Sequence, residues 1–352
     1  MRRLWQALAG IAVSGAALWL TLRGKDLDRI AAEIRGADYS TLAPYVGVLL
    51  VIHLVRTVRW GILLEPVAHV PFARLNAASA VGFMALMVLP FRIGEFARPY
   101  LVAERPHLRV STALSSVVVE RIADGIFTGL LLVAALLAVP AGTPGVGVLR
   151  TGGLVVSLAF GGLLVFLVVG VYSRERAVRL LTRALRPLSP RLAERAAARA
   201  DAFIHGLRGV PSPPKLALFL ALTATYWALN AYGMSLLARG FGFDLGPAAT
   251  FALLGVLVVG VMIPSGPGMI GTFQGAILVG LSISAPPDVV ATRGAAYANV
   301  LWAVQLTVQV GLGLVFLFSR HIRLAQIFSA PAEVGSGLDE EEEEYRAVPP
   351  PP

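Results

Sequence analysis

Arg92, Glu95 and Arg98 recur at every third position, and Glu120, Arg121 and Asp124 interrupt an otherwise apolar run further along. Spacing of three sets the first group along one side of a helical turn, where guanidinium and carboxylate can pair. Glu120 and Asp124, four apart, share a face. For a helix entered near residue 110, a rise of 1.5 Å per residue puts them roughly 15 Å or more from its start. A charge at the centre of a membrane span costs roughly 2.5–3.5 kcal/mol, so three together must pair with one another or face a wet cavity. Arginine forks suit phosphate, which they hold through charge-assisted and bidentate bonds. On that reading Arg92, Arg98 and Arg121 take a phosphate, while Glu95, Glu120 and Asp124 position them or carry a proton. The competing reading is a structural ion-pair cluster that pins helices together.

A second stretch offers backbone rather than side-chain chemistry. Pro264, Pro267, Gly268 and Gly271 break an apolar run. Glycines permit unwound geometry, and freed N–H groups at a half-helix N-terminus can face an anion. A simple kink or external turn is the alternative. Arg293, with Tyr297 and Asn299, enters the last apolar segment. It is expected either to line a cavity or to snorkel to the interface. Arg56 and Arg59, beside Trp60 near the end of the second apolar run, read as an interfacial anchor. The five histidines are scattered without metal-ligand spacing, and no nucleotide-binding or nucleophile motif occurs.

The elements that must position these residues are membrane helices. Of the 352 residues 56% are hydrophobic and 14% charged, where a soluble domain carries about 25% charged residues. The mean hydropathy is +0.73. Apolar segments lie near 4–22, 41–63, 72–90, 110–139, 148–171, 215–238, 248–263, 274–285 and 295–318. About 20 apolar residues cross a bilayer core, and lipid leaves the backbone no partner but its own helix. With no cysteine, disulfides and thiol chemistry are excluded. The net charge of +9 sits in segments flanking the spans, which fits topology and anionic headgroups rather than nucleic acid. The expected fold is an all-α, polytopic transmembrane helix bundle.

The bundle reads as one transmembrane domain over 1–330 with halves at about 41–171 and 215–320. The joining segment 172–214 carries nine arginines between Arg174 and Arg208 against Glu175, Glu194 and Asp201, so it is expected to be cytoplasmic. Its 191–207 stretch reads as an amphipathic interfacial helix. Residues 331–352, with the run Glu340 to Glu344 and terminal prolines, read as a disordered acidic tail on the same side. The runs 72–90 and 248–263 are each broken by proline and glycine in corresponding places of the two halves, as in transporters built from an inverted repeat. Two re-entrant hairpins of opposite orientation bring both the basic loop and the tail inside. A full crossing by 72–90 would instead put the N-terminus outside.

The motifs Pro90-x-Arg92-x-Gly94-Glu95-x-x-Arg98-Pro99, Val119-Glu120-Arg121-x-x-Asp124 and Pro264-x-x-Pro267-Gly268-x-x-Gly271 resemble the lysylphosphatidylglycerol synthase transmembrane region, also called the flippase-like family. The resemblance runs over roughly 5–320. It implies a multi-pass bacterial inner-membrane protein; in fused synthases this region is linked to moving the aminoacylated phospholipid to the outer leaflet. No aminoacyl-transferase domain follows the last span, so synthesis of that lipid is not expected. Gln274 stands where many relatives have a glutamate.

Three functions fit this sequence to different degrees. The first is flipping of a phospholipid or lipid-linked molecule with an anionic or phosphate headgroup, by hairpins acting as gates and without a cofactor. The second is an enzyme using Glu95 or Asp124 as base, for which nucleophile, metal and cofactor motifs are lacking. The third is a scaffold for envelope lipid or glycolipid synthesis, working through 172–214 or the tail. The pattern is compatible with a homo-oligomer or with a partner enzyme.

Overall fold

The computed structural model describes residues 26–89, 94–103, 108, 110–137, 146–187, 189, 190, 212–263 and 265–318, with 15, 16, 19 and 23 near the N-terminus. Arg92, Pro264, most of 4–22, the stretch 191–207 and the tail 331–352 lie outside the described residues. Among the described residues every regular element is helical, and the chain is a helical membrane bundle.

Helix α1 (Leu27–Gly36) starts where the Asp26 carboxylate accepts the backbone N–H groups of Asp28 and Arg29, both at 3.1 Å. That side chain satisfies two donors a helix start leaves open. The helix is charged on most sides and buries Ile30 alone, as suits an element lying at an interface. Then come α2 (Leu42–Leu64), α3 (Phe72–Val88), α4 (Ala97–Ala103), α5 (Val110–Leu137), α6 (Val146–Tyr172) and α7 (Arg174–Leu185). The second half holds α8 (Pro213–Gly240), α9 (Pro247–Val261), α10 (Thr272–Leu281) and α11 (Ala295–Phe318), the last entered through a π-turn at Val290–Gly294. Helices α2, α8 and α11 are long and apolar enough to cross a membrane. Helix α5 has 28 residues, or about 42 Å at 1.5 Å per residue, and its three charges set it apart.

Helices α3 and α9 have 17 and 15 residues, about 25 and 22 Å long, short of the roughly 30 Å hydrocarbon core. Each is followed by a break, a short 3-10 turn and a helix that folds back. Gly94 is pressed against the backbone of Ala85 and Leu86, and Gly82 lies under the Arg98 side chain. As the position on α3 falls its partner's number rises, so the two arms run antiparallel. In the second hairpin Gly260 meets Ala276 and Gly280 meets Leu253, which is the same arrangement. Small residues at these points let the arms approach closely. Helix α3 touches the Pro267–Met269 turn of the second hairpin, so the two hairpins are in contact.

Two apolar cores flank this meeting. The larger gathers α1, α2, α8, α9, α10 and α11 around Tyr45, Trp227, Leu253 and Tyr297. The other joins α2 to α3, α4 and α5 through Trp60, Val81, Leu101 and Val117. The charged residues lie between them.

Candidate functional site

Arg59 of α2 has no exposed side-chain surface. Its Nη1 donates to Asp124 Oδ1 and its Nη2 to Asp124 Oδ2 at 3.0 Å, so one fork grips one carboxylate in two places. Nη2 also donates to Glu120 Oε1 at 2.7 Å. Glu120 and Asp124 present both carboxylates from successive turns of α5, and a single planar guanidinium spans that separation. Trp227 Nε1 of α8 donates to Asp124 Oδ1 at 3.3 Å, and Trp60 Nε1 donates to Ser116 Oγ at 2.9 Å. Three spans are thus tied at one level. Asp124 lies 14 positions after the first residue of α5, roughly 21 Å along the helix and near the middle of a span.

Arg98 enters from the first hairpin. Its Nη2 lies 3.1 Å from Glu120 Oε2, close enough to pair as a charge although off the axis of a hydrogen bond. The guanidinium stacks 4.3 Å from the Trp60 ring centroid and 4.6 Å from that of Phe83. Gly82 makes room for it, since a Cβ there would run into Arg98 Cγ. Arg121 Nη2 is 3.3 Å from both Glu120 Oε1 and Asp124 Oδ2. Of the three paired arginines it is the most exposed, at 28% against 0% and 3% for Arg59 and Arg98.

Arg121, Asp124 and Glu95 open on a cavity of about 410 Å³. Arg56 of α2, Tyr226, Trp227 and Asn230 of α8, and Gln305 and Gln309 of α11 complete its polar side. The rest is apolar: Leu86 and Met87 from the first hairpin, and Leu254, Leu257, Val258, Met269 and Phe273 from the second. The space is therefore lined from both hairpins and carries charged and aliphatic side chains together. Ligand pockets span about 300–1,000 Å³, so it is large enough for a headgroup. Among the described residues no group of histidines or carboxylates could hold a metal ion.

The family model for the lysylphosphatidylglycerol synthase TM region matches residues 7–328. The chain belongs to that family. A search of the curated proteins finds no match. The family description ties the match to a membrane-embedded, lipid-related region, and the charged cluster and both hairpins fall within the matched residues.

Within this lysylphosphatidylglycerol synthase TM fold, the residues singled out by sequence have different surroundings. Glu95, Arg98, Glu120, Arg121 and Asp124 come together; Arg92 and Pro264 are outside the described residues. Pro267 opens the turn, and Gly268 (φ 69°) and Gly271 (φ 84°) adopt left-handed backbone that glycine tolerates best. The Gly271 N–H, at the start of α10, donates to Gln274 Oε1 at 2.7 Å. The Gly268 carbonyl accepts from Trp302 Nε1 at 2.7 Å. Arg293 sits away from the cavity wall, with its Nε 3.3 Å from Glu33 Oε2 on α1.

Arg59 is not an interfacial anchor but the buried centre of the cluster, and Arg56 lines the cavity beside it. Buried carboxylates on α5 required a cation from another helix, and the run His53, Arg56 and Arg59, three apart on one helix, was the signal that could have found it.

Proposed function

We propose that this protein moves a phospholipid or lipid-linked molecule between the leaflets of a bacterial inner membrane. The observation that carries the reading is the amphiphilic cavity: Arg56, Glu95, Arg121 and Asp124 share it with aliphatic side chains from two hairpins that touch. A lipid headgroup must cross hydrocarbon that rejects its charge. A water-accessible path with fixed counter-charges lowers that barrier, while the acyl chains remain in lipid. About 410 Å³ holds a headgroup but not the two chains with it. The paired antiparallel hairpins fit an inverted repeat, in which one arrangement opens inward and its mirror opens outward.

The carboxylates favour transport over catalysis. Both Asp124 oxygens accept from Arg59, and Trp227 and Arg121 approach the same group. A carboxylate engaged by so many donors is occupied as an acceptor rather than offered to a substrate proton. Its service is to orient cations.

Purified protein reconstituted into liposomes of bacterial lipid extract, with headgroup- or tail-labelled lipid exposed to a membrane-impermeant quencher, tests the reading. Fast label movement is expected with the wild-type chain and should fall to the empty-liposome rate in Leu257→Trp, which fills the apolar wall. Correctly inserted wild-type protein that moves no lipid above empty liposomes would overturn transport and leave the scaffold role.

A further inference from the structure

Arg59, Arg98 and Arg121 all have carboxylate partners, and Arg56 does not: among the described residues no carboxylate lies within ion-pairing distance of it. Its guanidinium carbon is 3.2 Å from the centroid of the Phe83 ring, and its buried Nε has no hydrogen-bond partner. Stacking on an aromatic face holds the fork in place while leaving its N–H edge to another acceptor. Four guanidiniums (Arg56, Arg59, Arg98 and Arg121) face three carboxylates (Glu95, Glu120 and Asp124), so the described cluster has one positive charge in excess. An uncompensated cation inside a bilayer is costly, and a bound anion relieves that cost.

Beside Arg56 stand three neutral carboxamides. Arg56, Asn230, Gln305 and Gln309 line the main cavity and also a smaller adjoining one of about 40 Å³. The Asn230 amide donates to the Tyr226 carbonyl at 2.8 Å, and the Gln305 amide to the Tyr45 hydroxyl at 3.0 Å. No described residue donates to the carbonyl oxygen of either. Gln309 Oε1 is buried and likewise has no partner. The buried Gln309 acceptor calls for a ligand or water that supplies a donor, and the Asn230 and Gln305 oxygens belong to side chains lining the same cavity. They are uncharged, and the neighbouring carboxylates are engaged, so a hydroxyl suits them better than an ammonium, which would also meet the excess positive charge.

We propose that the cavity binds a phosphodiester whose headgroup carries hydroxyls and no amine, with Arg56 on the phosphate and Asn230, Gln305 and Gln309 on the hydroxyls. A glycerol, an inositol and a sugar on a polyprenyl phosphate share this chemistry. The proposal rests on the transport reading for the purpose of the site, but its test is of binding alone.

Trp227 lines the cavity, so fluorescence in micelles, supported by native mass spectrometry, can follow lipid binding. The probes are phosphatidylglycerol, phosphatidylinositol and a polyprenyl-phosphoryl hexose, beside phosphatidylethanolamine and phosphatidylcholine at equal chain length. At least one hydroxylated probe is expected to bind about tenfold tighter than phosphatidylethanolamine, as a buried acceptor left without its donor implies. The tightest of the three identifies the source. Arg56→Gln should lose about tenfold for every phosphodiester, with Arg56→Lys recovering part of it. Gln309→Leu and Asn230→Leu should narrow the preference for hydroxylated lipids and leave phosphatidylethanolamine unchanged. Gln305 is spared because removing it would strand Tyr45. Equal or tighter binding of an amine headgroup overturns the proposal, as does unchanged affinity in both folded Arg56→Gln and folded Gln309→Leu. Selective binding without label movement in liposomes would sink transport and keep the site. Movement indifferent to headgroup, with no selective binding, would do the reverse.

Discussion

Arg59 and Asp124 meet through two nitrogens of one guanidinium and two oxygens of one carboxylate, although 65 residues separate them in the chain. The contact fixes both the rotation and the height of α2 against α5, because a bidentate pair tolerates little slippage. In lipid, where apolar surface does not tell one helix register from the next, such a pair specifies one arrangement. Glu120 then has its second oxygen directed to Arg98, which ties the first hairpin to the same point.

Arg59→Ala would leave two buried carboxylates short of their main partner. Breaking one side of a buried pair costs roughly 3–5 kcal/mol. Equilibrium unfolding in mixed micelles should show a loss of that size. The double variant Arg59→Met/Asp124→Leu removes one charge of each sign and should recover at least half of it. A double variant no more stable than Arg59→Ala would show that the pair's charge balance is not what matters.

The helical membrane fold was legible because 20-residue apolar runs have few other solutions, and Pro–Gly breaks at 90–99 and 264–271 marked the hairpins. The α5 half of the cluster was legible too: Glu120, Arg121 and Asp124 are conspicuous against Val117 and Ile126. Arg59 was not, because an arginine five residues before the end of a span reads equally as a snorkelling anchor. Which reading holds depends on the rotation of α2, and that is set by partners on α5 and α8 far away in sequence. The Gly271 N–H is engaged for a local reason: the Gln274 side chain reaches back to it, as in a capping box.

Gly82 and Arg98 should be strongly coupled. A methyl at Gly82 must push the Arg98 stem aside and with it the 3.1 Å approach to Glu120. Gly82→Ala is therefore expected to destabilise the wild-type chain clearly and to do little in an Arg98→Ala background. A double-mutant cycle should give a coupling of about 0.5–3 kcal/mol, within the range for residues in contact. Additive effects would mean that Arg98 repositions freely.

Gln274 is 2% exposed and satisfies the Gly271 N–H. Gln274→Ala leaves that donor buried and unpaired, at a cost of about 1–3 kcal/mol. Gln274→Glu keeps an acceptor at the start of α10, where a negative charge suits the helix dipole, and should retain most of the stability. Thermal unfolding of the two variants side by side separates the cases. Equal losses would imply that the amide nitrogen, not the oxygen, is the group that counts.

Arg293 was a candidate for the cavity on sequence, and its geometry assigns it a lesser part. Its side chain is 42% exposed, and its partner Glu33 is 34% exposed. Exposed pairs contribute up to about 1 kcal/mol and weaken with salt. Arg293→Ala is expected to lower stability by no more than that, and to leave the initial rate of lipid movement in liposomes within about twofold, a margin worth less than 0.5 kcal/mol. The charge reversal Arg293→Glu/Glu33→Arg should restore whatever stability is lost, because α1 and the π-turn would still be joined by one pair. A tenfold slower lipid movement in a normally folded Arg293→Ala protein would place the residue on the transport path, with the pair to Glu33 as one of two positions it occupies.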